Sequence, residues 1–362
     1  MKNIVRQAGV ILGFLGLWYL FFLFLTYLLY PENGVVNNSQ MRTRNDQLIK
    51  SIFLKDATND LLGFWTSKYE AKRIIIIGGS NAGQGILPSV LQTVFPDYTI
   101  HNASVRASIV PQLRQIVDVI RMSSPGSMEG TIFVAGIFYG LFYNDHAEYG
   151  HVVWKNKRIT YLQSEALRYG LYSPRDDKLA LTLAPHLMPW AVRLLRPFLF
   201  WDVIFFDADS FYVDCWMFLY SMMGKHEEEP QGEKMKQSAG EEWKVSLGDV
   251  KDFAQDSQMN DFLALCQEII QSGASLVIVD LPVPQWVREK SAYYKKYILK
   301  MSLSLNEIKK IPRVRYIDLG TNTSFSTDSN FRDSAHPTRE AAEMWSKTIA
   351  GFVVSQRRYL GF

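Results

Sequence analysis

Two short segments near opposite ends of the sequence carry side chains whose types and spacing suit acyl-transfer chemistry. The first reads Gly78-Gly79-Ser80-Asn81-Ala82-Gly83 and follows the apolar run at 73–77 directly. A serine placed straight after a strand and two glycines sits on a sharp turn. Its hydroxyl is exposed there, and the amides that open the next helix point at whatever it attacks. The spacing is not Gly-x-Ser-x-Gly, and a structural tight turn accounts for Gly-Gly-Ser by itself. The second segment, FRDSAHPTREAAEMWSK, holds Asp333 and His336 three residues apart. A loop of that length can set the carboxylate against one imidazole nitrogen while the other faces a serine. His336 would then be the general base, and Asp333 would fix its tautomer and stabilise the imidazolium. Alone, Asp-x-x-His also suits surface capping. The remaining histidines, His101, His146, His151, His186 and His226, have no comparable partner in the sequence.

These residues need elements to bring them together. Residues 73–77 (RIIII), 98–102, 131–136 (TIFVAG), 275–281 (SLVIVDL) and 314–319 (VRYIDL) are short, apolar and rich in β-branched side chains. Such runs fit strands buried on both faces of a parallel sheet. Helical patterns lie between them, at 111–122 with Leu113, Ile116, Val117 and Ile120 on one face, and at 256–271. After the second segment, Pro337 suits the first position of a helix, and Ala341, Trp345, Thr348 and Phe352 recur at helical spacing. Strands alternating with helices argue for a doubly wound α/β domain whose ligand site lies at the carboxyl ends of the strands. Both candidate segments belong at that edge.

Taken together, the two segments resemble the SGNH, or GDSL-type, hydrolase superfamily over most of residues 72–355. Ser80, Asp333, His336, Pro337 and Thr338 match that family's motifs in type, order and context. The resemblance implies a three-layer α/β/α fold, flavodoxin-like, with a five-stranded parallel sheet. It also implies a Ser80–His336–Asp333 triad that forms an acyl-enzyme. The oxyanion hole departs from the family pattern. Where the family has a glycine after the second strand, this chain reads Asn102-Ala103-Ser104-Val105-Arg106-Ala107-Ser108. A backbone amide at Arg106 or Ala107 can still donate, beside the amide of Ser80 itself. Where the family has an asparagine after the third strand, this chain has Phe138, which cannot donate. Asn81, Tyr139 and Asn144 are the candidate substitutes. Losing one oxyanion donor costs on the order of 10²–10³ in kcat, which would make a slow hydrolase and a serviceable acyl carrier.

The N-terminus supplies the other organising feature. Residues 7–30 contain no charge, Lys2 and Arg6 precede them, and Pro31 and Glu32 end the run. About 20 apolar residues cross a bilayer as a helix. The basic flank predicts a cytoplasmic N-terminus and an exported remainder. The run is longer than a signal-peptide core and lacks a small-x-small cleavage site, so an uncleaved anchor over residues 1–30 is expected. Residues 31–70 read as a stalk leading into a first helix, and 71–362 as the catalytic domain with a helical insertion at about 150–250.

Composition bounds the remaining possibilities. Of 362 residues, 48% are hydrophobic, which excludes disorder throughout. Lys and Arg number 39 against 36 Asp and Glu, too even for nucleic-acid binding. Without Lys2 and Arg6 the balance is 37 to 36, nearly neutral. Cys215 and Cys266 allow one disulfide at most, and their pairing is open. No metal-ligand cluster or nucleotide loop is present in the sequence, so no cofactor is expected. Within the insertion, 181–223 is strongly apolar but broken by Pro185, Pro189 and Pro197 and by Arg193, Arg196 and Asp202. It reads either as a helical subdomain packed on the core or as a surface lying on the bilayer or docking a membrane partner. In the second case Trp190, Trp201, Arg193 and Arg196 would sit at the interface. Residues 224–244 are polar and read as a loop.

The anchor, the exported domain and the degenerate second and third blocks resemble the SGNH proteins that accompany polytopic membrane-bound O-acyltransferases. Examples are the teichoic-acid D-alanyl transfer and alginate O-acetylation proteins. That resemblance implies a polysaccharide or similar acceptor, an acyl-transferase partner and an extracytoplasmic site. A membrane-anchored carbohydrate esterase or lipase, and a non-catalytic scaffold of an envelope complex, are the competing readings.

Overall fold

A computed structural model of the chain describes residues 2–29, 65, 72–105, 108–124, 128–143, 151–154, 157–160, 170–175, 178–199 and 249–361. The chain opens with α1 (Lys2–Leu29), an apolar helix whose stretch Asn3–Tyr27 is long enough to cross a membrane. The stalk expected at 31–70 lies outside the described residues except for Trp65, as do 201–248, with Trp201, Cys215 and the 224–244 loop.

The α/β domain begins with β1 (Arg73–Gly78), then α2 (Ser80–Gly85), α3 (Pro88–Val94), β2 (Thr99–Asn102), α4 (Val110–Ser123) and β3 (Thr131–Ile137). Two antiparallel hairpins follow, β4 (His151–Trp154) with β5 (Lys157–Thr160) and β6 (Tyr172–Arg175) with β7 (Lys178–Leu181). Next come α5 (Met188–Leu199), α6 (Asp256–Gln271), β8 (Ser275–Asp280), α7 (Gln285–Lys290) and α8 (Ala292–Ile308). The chain closes with β9 (Val314–Asp318), α9 (Arg339–Ser355) and α10 (Arg357–Leu360).

Five strands form one sheet in the order β2-β1-β3-β8-β9, with every neighbouring pair parallel. Counted along the sheet strands alone this is 2-1-3-4-5, a doubly wound order. The side-chain period of two divides each central strand between two cores. Ile75, Ile77, Phe133, Ala135, Leu276 and Ile278 face the layer containing α4, α6 and α8. Ile74, Ile76, Ile132, Val134, Val277 and Val279 face α2, α3 and α9. All six residues of β1 are buried, so the isoleucine run is apolar throughout because both its faces are covered.

Two expectations need correction. The insertion is not purely helical: between β3 and α6 the described residues form two hairpins before α5. In these hairpins the strand ends pair at Trp154 with Lys157 and at Arg175 with Lys178. Their strands are four residues long and interrupted by Pro174 or by Lys157 and Arg158, too short and polar to read as buried strands. In α9, Thr338 is the N-cap and Pro337 lies outside the helix; the Thr338 hydroxyl accepts the Ala341 amide at 3.3 Å. Its buried face is Ala341, Ala342, Trp345, Ser346, Ile349, Ala350 and Val353, and Thr348 is exposed.

Candidate active site

The site is built where β1 stops. Gly78 has φ +149°, a backbone state L side chains rarely adopt, and a β-carbon there would stand 2.4 Å from the Gly136 carbonyl and 2.5 Å from the Ala82 β-carbon. Gly136, its register partner on β3, would bring a β-carbon within 2.5 Å of the same Ala82 atom. Two glycines side by side on adjacent strands therefore let α2 settle onto the sheet edge. Ser80 is the first residue of α2 and is half-buried at the carboxyl end of β1.

A helix of six residues has little stability of its own. Here it is tied from three sides. Asn102 at the end of β2 donates its side-chain amide to the Gly83 carbonyl at 3.0 Å while its carbonyl accepts the Ser104 amide at 3.1 Å. Ser346 of α9 donates to the Gly85 carbonyl at 3.3 Å and accepts the Leu87 amide at 2.8 Å. Asn81 donates its side-chain amide to the Ala335 carbonyl at 3.0 Å, which fastens the serine turn to the aspartate–histidine loop.

That loop folds on itself. Phe331 and Pro337 form an antiparallel bridge, the Arg332 amide donates to the His336 carbonyl at 2.9 Å, and the Thr338 amide donates to the Asn330 carbonyl at 2.8 Å. Arg332 also donates from its side chain to the Pro337 carbonyl at 3.0 Å and to Gln84 of α2. The Asp333 Oδ1 accepts the amides of Ala335 and His336, each at 2.8 Å, closing an Asx-type turn. Its other oxygen, Oδ2, lies 2.7 Å from His336 Nδ1. On the far side of the ring, Nε2 lies 2.8 Å from Ser80 Oγ. Ser80, His336 and Asp333 thus form a continuous hydrogen-bonded line although 256 positions separate the serine from the histidine.

Burial alone would raise the Asp333 carboxyl. The His336 ring, its charge and the two backbone amides outweigh that and hold the group at about 2. It is a carboxylate under any ordinary condition and an acceptor only, which suits a proton on Nδ1 and leaves Nε2 free to take one from Ser80. His101, buried in β2, behaves differently: burial and then the Arg73 charge push it down to about 4, so it stays neutral.

The oxyanion candidates are placed unequally. Arg106, Ala107 and Asn144 lie outside the described residues. Asn81 gives one of the two N–H groups of its side-chain amide to the Ala335 carbonyl, which braces the turn; the second N–H is carried on the same nitrogen. Tyr139 is buried, with its ring edge-on to Phe138 at 5.5 Å and to Tyr294 at 6.1 Å. Phe138 packs against the turn, since a β-carbon on Gly140 would come within 2.5 Å of its ring and one on Gly79 within 3.4 Å. The amide of Ser80 belongs to the first turn of α2 and has no acceptor within that helix.

Sequence reasoning missed a second polar feature of the same edge. Asp280 and Asp318 end β8 and β9 as register partners, and the Tyr316 hydroxyl donates to Asp280 Oδ2 at 3.0 Å. Burial, then the Asp318 charge, raise the Asp280 carboxyl to about 7. Burial and Asp280 in turn push the Tyr294 phenol up to about 12. The signal was the aspartate closing both SLVIVDL and VRYIDL, hidden because each lies inside an apolar run.

No protein-family profile matches the chain, and no curated protein does. Among solved structures, one from Streptococcus pneumonia, described provisionally as a platelet activating factor, aligns over 87% of this chain and 98% of its own length, at a TM-score of 0.42 and 10% identity.

Proposed function

We propose that this chain is an SGNH-type serine enzyme of acyl esters. The supporting observation is the line Ser80 Oγ–His336 Nε2–His336 Nδ1–Asp333 Oδ2, with separations of 2.8 and 2.7 Å. His336 takes the Ser80 proton as Oγ attacks the acyl carbonyl, and Asp333 stabilises the imidazolium formed. Collapse of the tetrahedral intermediate breaks the ester bond, and His336 returns its proton to the departing oxygen. An acceptor hydroxyl then gives its proton to His336 and attacks the acyl-serine; collapse of this second intermediate breaks the acyl–Oγ bond, and His336 returns the proton to Ser80. Water as that acceptor completes hydrolysis; a sugar hydroxyl completes transfer.

The finer reading is O-acyl transfer to a cell-envelope or extracellular polysaccharide, with a polytopic membrane-bound O-acyltransferase supplying the acyl group. It rests on α1 acting as a membrane anchor with a cytoplasmic N-terminus, and on the replacement of the expected asparagine donor by Phe138, which disfavours fast hydrolysis. Labelling by a fluorophosphonate tests the chemistry. The folded protein is expected to label at Ser80, and Ser80→Ala to abolish the label; absence of labelling in folded, full-length protein removes the catalytic reading. Turnover of an aryl acetate with and without a glycan then separates transfer from hydrolysis, because a transferase diverts product to the glycan.

A further inference from the structure

Helix α5 is apolar on two opposite faces. Met188 and Val192 are buried in the main core, with Leu195 half-buried beside them. On the other side Leu187, Trp190, Leu194 and Phe198 are 45%, 64%, 57% and 50% exposed. At about 100° per residue Trp190, Leu194 and Phe198 fall within an arc of about 80°, and Leu187 stands in the 3₁₀ turn just before the helix. A helix packed on a domain in water carries its polar residues on such a face. The two arginines lie off that arc, with Arg193 over the Trp190 ring at 5.9 Å and Arg196 over the Tyr27 ring at 4.4 Å.

The contacts with α1 set the height of this face. The Tyr19 hydroxyl donates to the Leu194 carbonyl at 2.7 Å, and the Tyr19 and Phe198 rings are 6.4 Å apart. Arg196 donates to the Thr26 carbonyl at 3.2 Å. Tyr19 lies near the middle of the uncharged run at 7–30 and Thr26 near its end; the two are separated by about 10 Å along the axis. If α1 crosses a bilayer, α5 cannot rest above it, because Leu194 and Phe198 are held at the depth of Tyr19.

We propose that α5 is inserted into the outer leaflet beside α1, with Leu187, Trp190, Leu194 and Phe198 against lipid acyl chains. Arg196 reaches along α1 toward the headgroups, as long cationic side chains do near a membrane surface. The occupant is lipid because the stripe adjoins a helix whose own apolar surface is open, with Phe21 59% and Phe24 67% exposed. A helical segment keeps most of its backbone hydrogen bonds internal, as hydrocarbon requires; Pro197 inside α5 removes one, the bond to the Arg193 carbonyl. This inference rests on the anchor reading of α1, and its test separates the two.

The full-length protein, carrying Cys215→Ser, is reconstituted in vesicles of phosphatidylethanolamine and phosphatidylglycerol. Cys266 is fully buried and stays unlabelled. Single cysteines from Trp190→Cys, Leu194→Cys, Phe14→Cys and Lys310→Cys carry an environment-sensitive fluorophore. Brominated acyl chains quench from the lipid side and iodide from the water side. The labels at 190 and 194 are expected to behave like that at 14, with strong bromolipid quenching and loss of iodide quenching, whereas that at 310 does the reverse. If the label at 14 is in lipid and those at 190 and 194 respond to iodide, the insertion is overturned and the anchor stands. Labels at 190 and 194 shielded from both quenchers mean a protein covers the stripe, which also overturns it. Iodide reaching the label at 14 removes the anchor itself.

Discussion

Asp333 binds two different partners with its two oxygens, and the division makes the residue sensitive to a change of one atom. Oδ1 is occupied by the amides of Ala335 and His336, both N–H donors, while Oδ2 faces His336 Nδ1. In Asp333→Asn the side-chain carbonyl is drawn to the two amides, so its NH₂ group must face Nδ1. The imidazole then accepts on Nδ1 and carries its proton on Nε2, toward Ser80, where it can no longer act as a base. The fold is retained, because the turn keeps its acceptor. The rate constant for fluorophosphonate labelling at neutral pH is expected to fall about 10³–10⁴-fold, with an unchanged circular dichroism spectrum. The pH dependence has a definite sign as well. A carboxyl held at about 2 contributes stability above the ordinary aspartate range and loses it only as pH falls toward 2. Activity lost between pH 5 and 7 therefore does not report Asp333.

At the scale of elements, the carboxyl ends of the strands hold both the triad and the Asp280–Asp318 pair. Asp280 has the opposite linkage. Its carboxyl, at about 7 when folded, favours the folded state at low pH. That contribution is complete below the ordinary carboxyl range and disappears as pH rises through 7. Asp280→Asn keeps an acceptor for Tyr316 and cannot ionise. Thermal melts from pH 5 to 8 are expected to show the parent losing stability relative to this variant as pH rises; parallel curves would mean that Asp280 does not take up a proton on folding. The parallel strands were legible because β-branched runs such as Ile74–Ile77 need burial on both faces, and 256–271 because its apolar spacing is helical throughout. The Ser80 and Asp333–His336 segments were legible because each is a local motif. The hairpins were not, since four-residue strands with Lys, Arg and Pro carry no decisive period. Nor was the bracing of α2 by Asn81, Asn102 and Ser346, which depends on contacts between residues up to 261 positions apart.

The whole molecule explains why a chain that is 48% hydrophobic carries so much apolar surface outside its sheet cores. Helix α1 is exposed along its first half, but in its second half Phe22 is 8% exposed and belongs to the main core cluster, with Leu25 packed against it. Thr26 is fully buried and its carbonyl accepts from Arg196. Helix α1, long and apolar enough to cross a membrane, is therefore also part of the domain's packing. Phe22→Ala tests this in the full-length protein. Were Phe22 transferred from protein to water on unfolding, about 1.5–3 kcal/mol would be expected. In detergent or lipid the displaced ring finds an apolar medium instead, so only the lost close packing counts, on the order of 1 kcal/mol at about 0.1–0.2 kcal/mol per lost atom contact. For a domain of this size that lowers the melting temperature by about 2–4 °C. Phe14→Ala, at a position 67% exposed on the same helix, serves as the comparison and is expected to leave it unchanged. Equal melting temperatures for the two variants would reduce α1 to a tether. A difference confined to Phe22 would mean that the α/β domain and helix α1 melt as one unit, which under the proposed anchor reading fixes Ser80, His336 and Asp333 at one height relative to lipid.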